Sequence, residues 1–162
     1  METPTQNNLL VKMILMAWDA QNNYLNNLIS SLTDEQLKKE IAPGKNTGVY
    51  LLGHLIAVSD ALLPLLGFSD RLFPEMEEVF IKNPDKTNQA FPSVAELTQR
   101  LVAVTTKLNG YFESTGTDGW LSRHTAVSSD DFVKEPHRNK LNVVINRTGH
   151  MAYHIGQMRL IN

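Results

Sequence analysis

The chain has no cysteine among its 162 residues, and that absence narrows the chemistry at once. Disulfides, a thiol nucleophile, iron–sulfur clusters and cysteine-type zinc sites are all excluded. An excess of basic charge is also missing: 15 Lys and Arg stand against 17 Asp and Glu, a formal charge of −2. That balance argues against a protein built to grip nucleic acid or an anionic membrane, because both need a basic surface. No repeat, low-complexity tract or charge block is present, so residues 1–162 read as one domain, long enough to bury its own core. Any metal or catalytic site must therefore be assembled from histidines, carboxylates and hydroxyls. Five histidines are available.

The opening residues Met1–Asn8 carry no positive charge, and the apolar run Leu9–Met16 is interrupted by Lys12. This is not the pattern of a secretory signal. The stretch Tyr50–Phe68 approaches the length of a membrane span, but it holds His54, Ser59, Asp60 and Pro64 and lacks flanking Lys or Arg clusters. It reads as a buried helix of a bundle. A cytoplasmic location is expected.

Strand-like alternation is absent, whereas helical spacing recurs. A first helix is expected over Pro4–Ser31, with Leu10, Met13, Ile14, Ala17, Leu25 and Leu28 as its apolar face. Thr33–Gln36 opens a short turn, and Thr47 caps a second helix carrying Leu51, Leu55, Val58, Leu62 and Leu65. Residues 67–92, punctuated by Gly67, Pro74, Pro84 and Pro92, read as broken, with one short helix at Pro74–Glu78. Ser93-Val94-Ala95-Glu96 is a capping box opening a third helix through Tyr111, with Asn109-Gly110 weakening its far end. An irregular stretch from Trp120 to about Arg138 precedes a last helix running to Ile161. The expected fold is all-α, a four-helix bundle with long connections.

His150 and His154 stand four residues apart in the last helix, on one face. Helical geometry at about 100° per residue turns that pair toward the bundle interior, beside Val143, Met151 and Ile155. His54 shares its heading with Leu51, Val58, Ala61 and Leu65, and Asp60 lies on the far side. A single inward histidine is ordinarily a satisfied core residue. Three converging on one interior share a divalent ion most simply, with a coordination position left open. His124 and His137 read as surface residues.

The neighbours carry two readings each. Gln157, one turn past His154, orients a ligand or a bound water, or else caps a polar rim. Tyr153 is expected at a helix interface. Arg147, one turn before His150, meets an anionic substrate group or pairs with a surface carboxylate. Trp18 is core or, alternatively, a wall of the pocket. The methionines Met13, Met16, Met151 and Met158 read as adaptable core packing.

The segments Gly53-His54-Leu55 and Gly149-His150-Met151-Ala152-Tyr153-His154-Ile155-Gly156-Gln157, with the lead-in Lys45–Leu52 and the turn Leu32–Leu37, resemble the DinB/YfiT-like superfamily. The resemblance implies a four-helix bundle with a long crossover, frequent homodimers, and a Zn or Ni ion on His54, His150 and His154. It also implies a small-molecule substrate. Some relatives are transferases or isomerases that use a low-molecular-weight thiol such as bacillithiol, and others are regarded as metal-dependent hydrolases. A non-catalytic bundle that binds a metal or small ligand is the alternative. With no protein thiol available, a thiol-dependent reaction would take its thiol from the cosubstrate.

Overall fold

The computed structural model describes residues 5–86 and 90–161. They form the helices α1 (Gln6–Ser31), α2 (Asp34–Leu37), α3 (Gly48–Asp60), α4 (Leu62–Leu65), α5 (Val94–Ser114), α6 (Thr117–Leu121), α7 (Ser129–Lys134) and α8 (Lys140–Met158), with a π-helical turn at Glu78–Lys82. The long helices α1, α3, α5 and α8 make an all-α bundle. Its ring runs α1 beside α8, α8 beside α3 and α3 beside α5. The 67–92 segment carries the chain from α4 to α5, and α6 and α7 carry it from α5 to α8. No regular strand occurs among the described residues.

Side-chain caps set the helix starts. Thr47 accepts from Tyr50 N at the head of α3, and Ser93 and Glu96 form the reciprocal box expected for α5. Thr33 and Gln36 form a second such box before α2. The two N-caps that matter most for the site, Thr47 of α3 and Asn139 of α8, also pair with Glu40 and Arg123 in isolated antiparallel bridges. Each site helix therefore starts from a tethered residue.

Some boundaries move. The first residue expected in the opening helix, Pro4, lies outside the described residues, and α1 is capped by Thr5. The second helix ends at Asp60 and resumes as α4, because Pro64 has no N–H to bond back to the Asp60 carbonyl. α5 passes through Asn109-Gly110 to Ser114. The short helix expected at Pro74–Glu78 begins as a turn at Pro74, is α-helical at Met76 and Glu77, and runs on into the π-helical turn Glu78–Lys82. The last helix closes at Met158 rather than Ile161, tightening so that Ile161 N donates to Met158 O.

One contiguous core joins all four long helices. Nearly every residue of α3 is buried, and the apolar stretch Gly48–Leu65, long enough to cross a membrane, is 78% buried inside the bundle. On α1 the buried residues are Val11, Trp18, Asn22, Leu25 and Ile29. This corrects part of the expected face: Leu25 is buried and Ile14 and Leu28 pack against the core, but Leu10, Met13 and Met16 are 54%, 57% and 60% exposed. Met151 and Met158 are core, as expected. Trp18 is core too, packed 5.8 Å from the Phe112 ring of α5.

Candidate metal centre

Two helices bring three imidazoles to one point. His54 stands mid-way along α3, and His150 and His154 occupy successive turns of α8. Their Nε2 atoms face one another: His54 to His150 is 3.3 Å, and His150 to His154 is 3.1 Å. One ring nitrogen from each lies within 4.8 Å of the others, so the group could hold a metal ion. All three side chains are partly exposed, which leaves the point reachable from solvent.

The outward nitrogens decide what the inward ones offer. His54 Nδ1 sits 2.7 Å from the Phe80 carbonyl, which only accepts, so His54 Nδ1 carries the proton. His154 Nδ1 sits 2.7 Å from Gln157 Oε1, and Gln157 Nε2 donates to the Tyr153 hydroxyl at 3.0 Å. With Gln157 Oε1 beside it as the acceptor, His154 Nδ1 is a donor as well. In the neutral state both inward Nε2 atoms are therefore bare lone pairs. His150 Nε2 has one proton at most, which cannot satisfy both neighbours well, while its Nδ1 is buried with no hydrogen-bond partner.

The same packing disfavours protonation. Burial, then His154, His54 and Arg147, push the His150 pKa down to about 4. Burial also lowers His154, opposed by its bond to Gln157 and aided by His54. These imidazoles are held neutral, the form that ligates a cation. The spacing fits as well: tetrahedral bonds of 2.0–2.1 Å from nitrogen to zinc set neighbouring nitrogens about 3.3 Å apart.

The wall behind His54 is aromatic. Tyr50, one turn earlier on α3, lies nearly parallel to the imidazole at 6.4 Å, and its hydroxyl donates to Asn83 O at 2.7 Å. Phe80 packs against Tyr50 and Phe91. A Cβ on Gly53 would come within 2.2 Å of the Phe80 ring, so only glycine lets the π-helical turn close on α3 and present its carbonyl to His54. Neither Tyr50 nor Phe80 stood out in the sequence as part of the site. Tyr50 could have been found, since it precedes His54 by four residues.

The remaining candidates separate. Asp60 is buried, and its two oxygens accept from Leu72 N and Phe73 N at 2.8 and 2.9 Å, so it holds a loop. Tyr153 is 64% exposed, correcting its expected place at a helix interface within the chain. His137 is exposed, whereas His124 is half-buried with an enclosed, unpartnered Nδ1, so only one of the two lies free on the surface. Neither joins the triad. Arg147 is half-buried and makes no hydrogen bond or ion pair among the described residues, which removes the expected alternative of a surface carboxylate.

The family model of the DinB superfamily matches residues 17–158. The chain belongs to the DinB superfamily. A crystal structure described as the conserved protein of locus from Enterococcus faecalis is similar to this DinB-superfamily chain with a TM-score of 0.60 and 16% identity, covering 93% of this chain and 95% of that one. At that identity it supports the fold alone. No curated protein matches the chain.

Proposed function

We propose that His54, His150 and His154 bind one divalent ion, Zn or Ni, through their Nε2 atoms, and that the protein is a metal-dependent enzyme acting on a small molecule. The observation that carries this reading is the convergence of three Nε2 atoms whose neutral rings supply lone pairs and too few protons. Three nitrogen ligands leave a position open, the arrangement of a reactive site. An ion there supplies Lewis acidity, which turns a water or a thiol into a nucleophile near neutral pH. Hydrolysis and thiol-dependent S-transfer both follow from that chemistry.

The chain's own residues do the positioning. The Phe80 carbonyl and Gln157 amide each hold a ring by its Nδ1–H and aim its Nε2 inward. Tyr50 and Phe80 close the site on the α3 side. The apolar strip left exposed on α1 supports a homodimer in the same reading.

The test is elemental analysis of protein purified without an affinity His-tag. About one Zn or Ni per chain is expected, falling well below stoichiometry in His54→Ala. Substoichiometric metal in the wild type, unchanged by that substitution, would sink the reading. Loaded protein is then assayed with bacillithiol plus a chromogenic electrophile, and separately with ester and amide panels. Turnover lost in His54→Ala supports an enzyme; stoichiometric metal without turnover supports a ligand-binding bundle instead.

A further inference from the structure

Arg147 is the one feature beside the triad that the metal reading leaves without a role. At about 100° per residue its heading on α8 falls about 20° from that of His154, on the side of the helix that meets α3. It lies one turn from His150, close enough to help depress that imidazole's pKa. A guanidinium carries five donors and cannot shed its charge, so half-burying it with nothing to bind is costly.

No acid compensates it. Lys140 lies 5.6 Å over the Phe68 ring, so α8 starts where the α3–α4 segment ends, and the two run antiparallel. Arg147 is therefore level with the C-terminal half of α3, whose single carboxylate, Asp60, is committed to Leu72 N and Phe73 N. Asp19 feels Glu113 as its charged neighbour across α1 and α5. The described ion pairs engage neither residue with Arg147. The Arg147 guanidinium is therefore a permanent positive charge beside the triad with no counter-charge among the described residues.

We propose that Arg147 is an anion anchor, so that the substrates of this site carry a carboxylate or phosphate group within about one helical turn, ~5 Å, of the reacting atom. The substrate claim rests on the metal-site reading; the anchor itself does not. Arg147 grips the planar or tetrahedral oxyanion through paired N–H groups, the rest of the molecule reaching toward the point between the Nε2 atoms.

The test titrates inorganic phosphate and, in a second arm, succinate into metal-free and zinc-loaded protein, followed by NMR on the His150 ring resonances. Saturable binding of at least one anion to the metal-free wild type is expected. It should weaken about tenfold or more in Arg147→Met and less in Arg147→Lys, which keeps charge but not the fork. Zinc content should be the same in all three. Circular dichroism checks the fold; were Arg147→Met not to fold, weaker binding in Arg147→Lys decides the matter. The arm that saturates names carboxylate or phosphate as the ligand. Equal affinity in wild type and variants, or no saturable binding of either anion to the metal-free wild type, overturns the anchor. Zinc uptake with no Arg147-dependent binding leaves the metal site standing alone, whereas Arg147-dependent binding in a chain that takes no zinc removes the metal and keeps the anchor.

Discussion

Gln157 matters because it fixes a proton. Its Oε1 takes the Nδ1–H of His154, and its Nε2 is tied to Tyr153, so the imidazole neither flips nor exchanges tautomers freely. Removing such a partner typically costs roughly 10- to 100-fold in metal affinity. Gln157→Leu should lower zinc affinity by about that factor in a chelator competition, with the helix content unchanged; an unaltered affinity would assign Gln157 to the polar rim. The neutral state of the rings also sets a pH dependence. His150 is pushed to about 4 in the folded chain against 6.5 for the ordinary side chain. Between those values the unfolded chain binds the extra proton, so metal-free protein keeps its full stability above pH 6.5 and loses it progressively as pH falls toward 4. Thermal unfolding across that window should show the loss, and His150→Phe should reduce it, the lowered His154 supplying part of the remainder.

At the scale of elements, the site depends on how closely the π-helical turn seats on α3. Gly53→Ala drives a methyl into the buried Phe80 ring, shifts the turn, and draws the Phe80 carbonyl off His54. A destabilisation of about 1–3 kcal/mol is expected by chemical denaturation, together with a loss of bound metal. Gly110→Ala provides the opposite case, since nothing lies within 4 Å of its Cβ position in α5. That change should stabilise by about 0.5–1 kcal/mol, the usual cost of glycine in a helix interior. If both substitutions behave alike, packing against Phe80 is not what glycine serves at position 53. The pair also shows what a sequence can disclose. The caps at Thr47 and Ser93 and the headings of His54, His150 and His154 are local signals, and each was legible because its periodicity or spacing lies within one helix. The Phe80 carbonyl was not legible: a backbone atom 26 residues from its histidine has no side-chain signature. The π-helical geometry that presents it depends on that same tertiary fit.

Over the whole molecule, α1 shows where periodicity misleads. It carries two apolar faces: Val11, Trp18, Leu25 and Ile29 meet the core, while Leu10, Met13, Ala17 and Tyr24 lie exposed along another. Spacing alone identifies an apolar strip without saying whether it meets the chain's own core or another surface, so the face expected from spacing mixes residues of both, Leu25 with Leu10 and Met13. Ile145 and Tyr153 are exposed on α8, the helix packed beside α1. An isolated exposed apolar residue needs no explanation, but several along one helix face do. We expect this face to bury itself against a second copy, with light scattering giving twice the 18.2 kDa chain mass. Met13→Lys combined with Met16→Lys places two charges on the strip without touching the core, and should yield a monomer of unchanged helix content. The triad is built wholly from α3 and α8 of one chain, so that monomer should still take up its metal. A double variant that stays dimeric would move the interface elsewhere, and one that dissociates and loses metal together would make the second copy a support for the site.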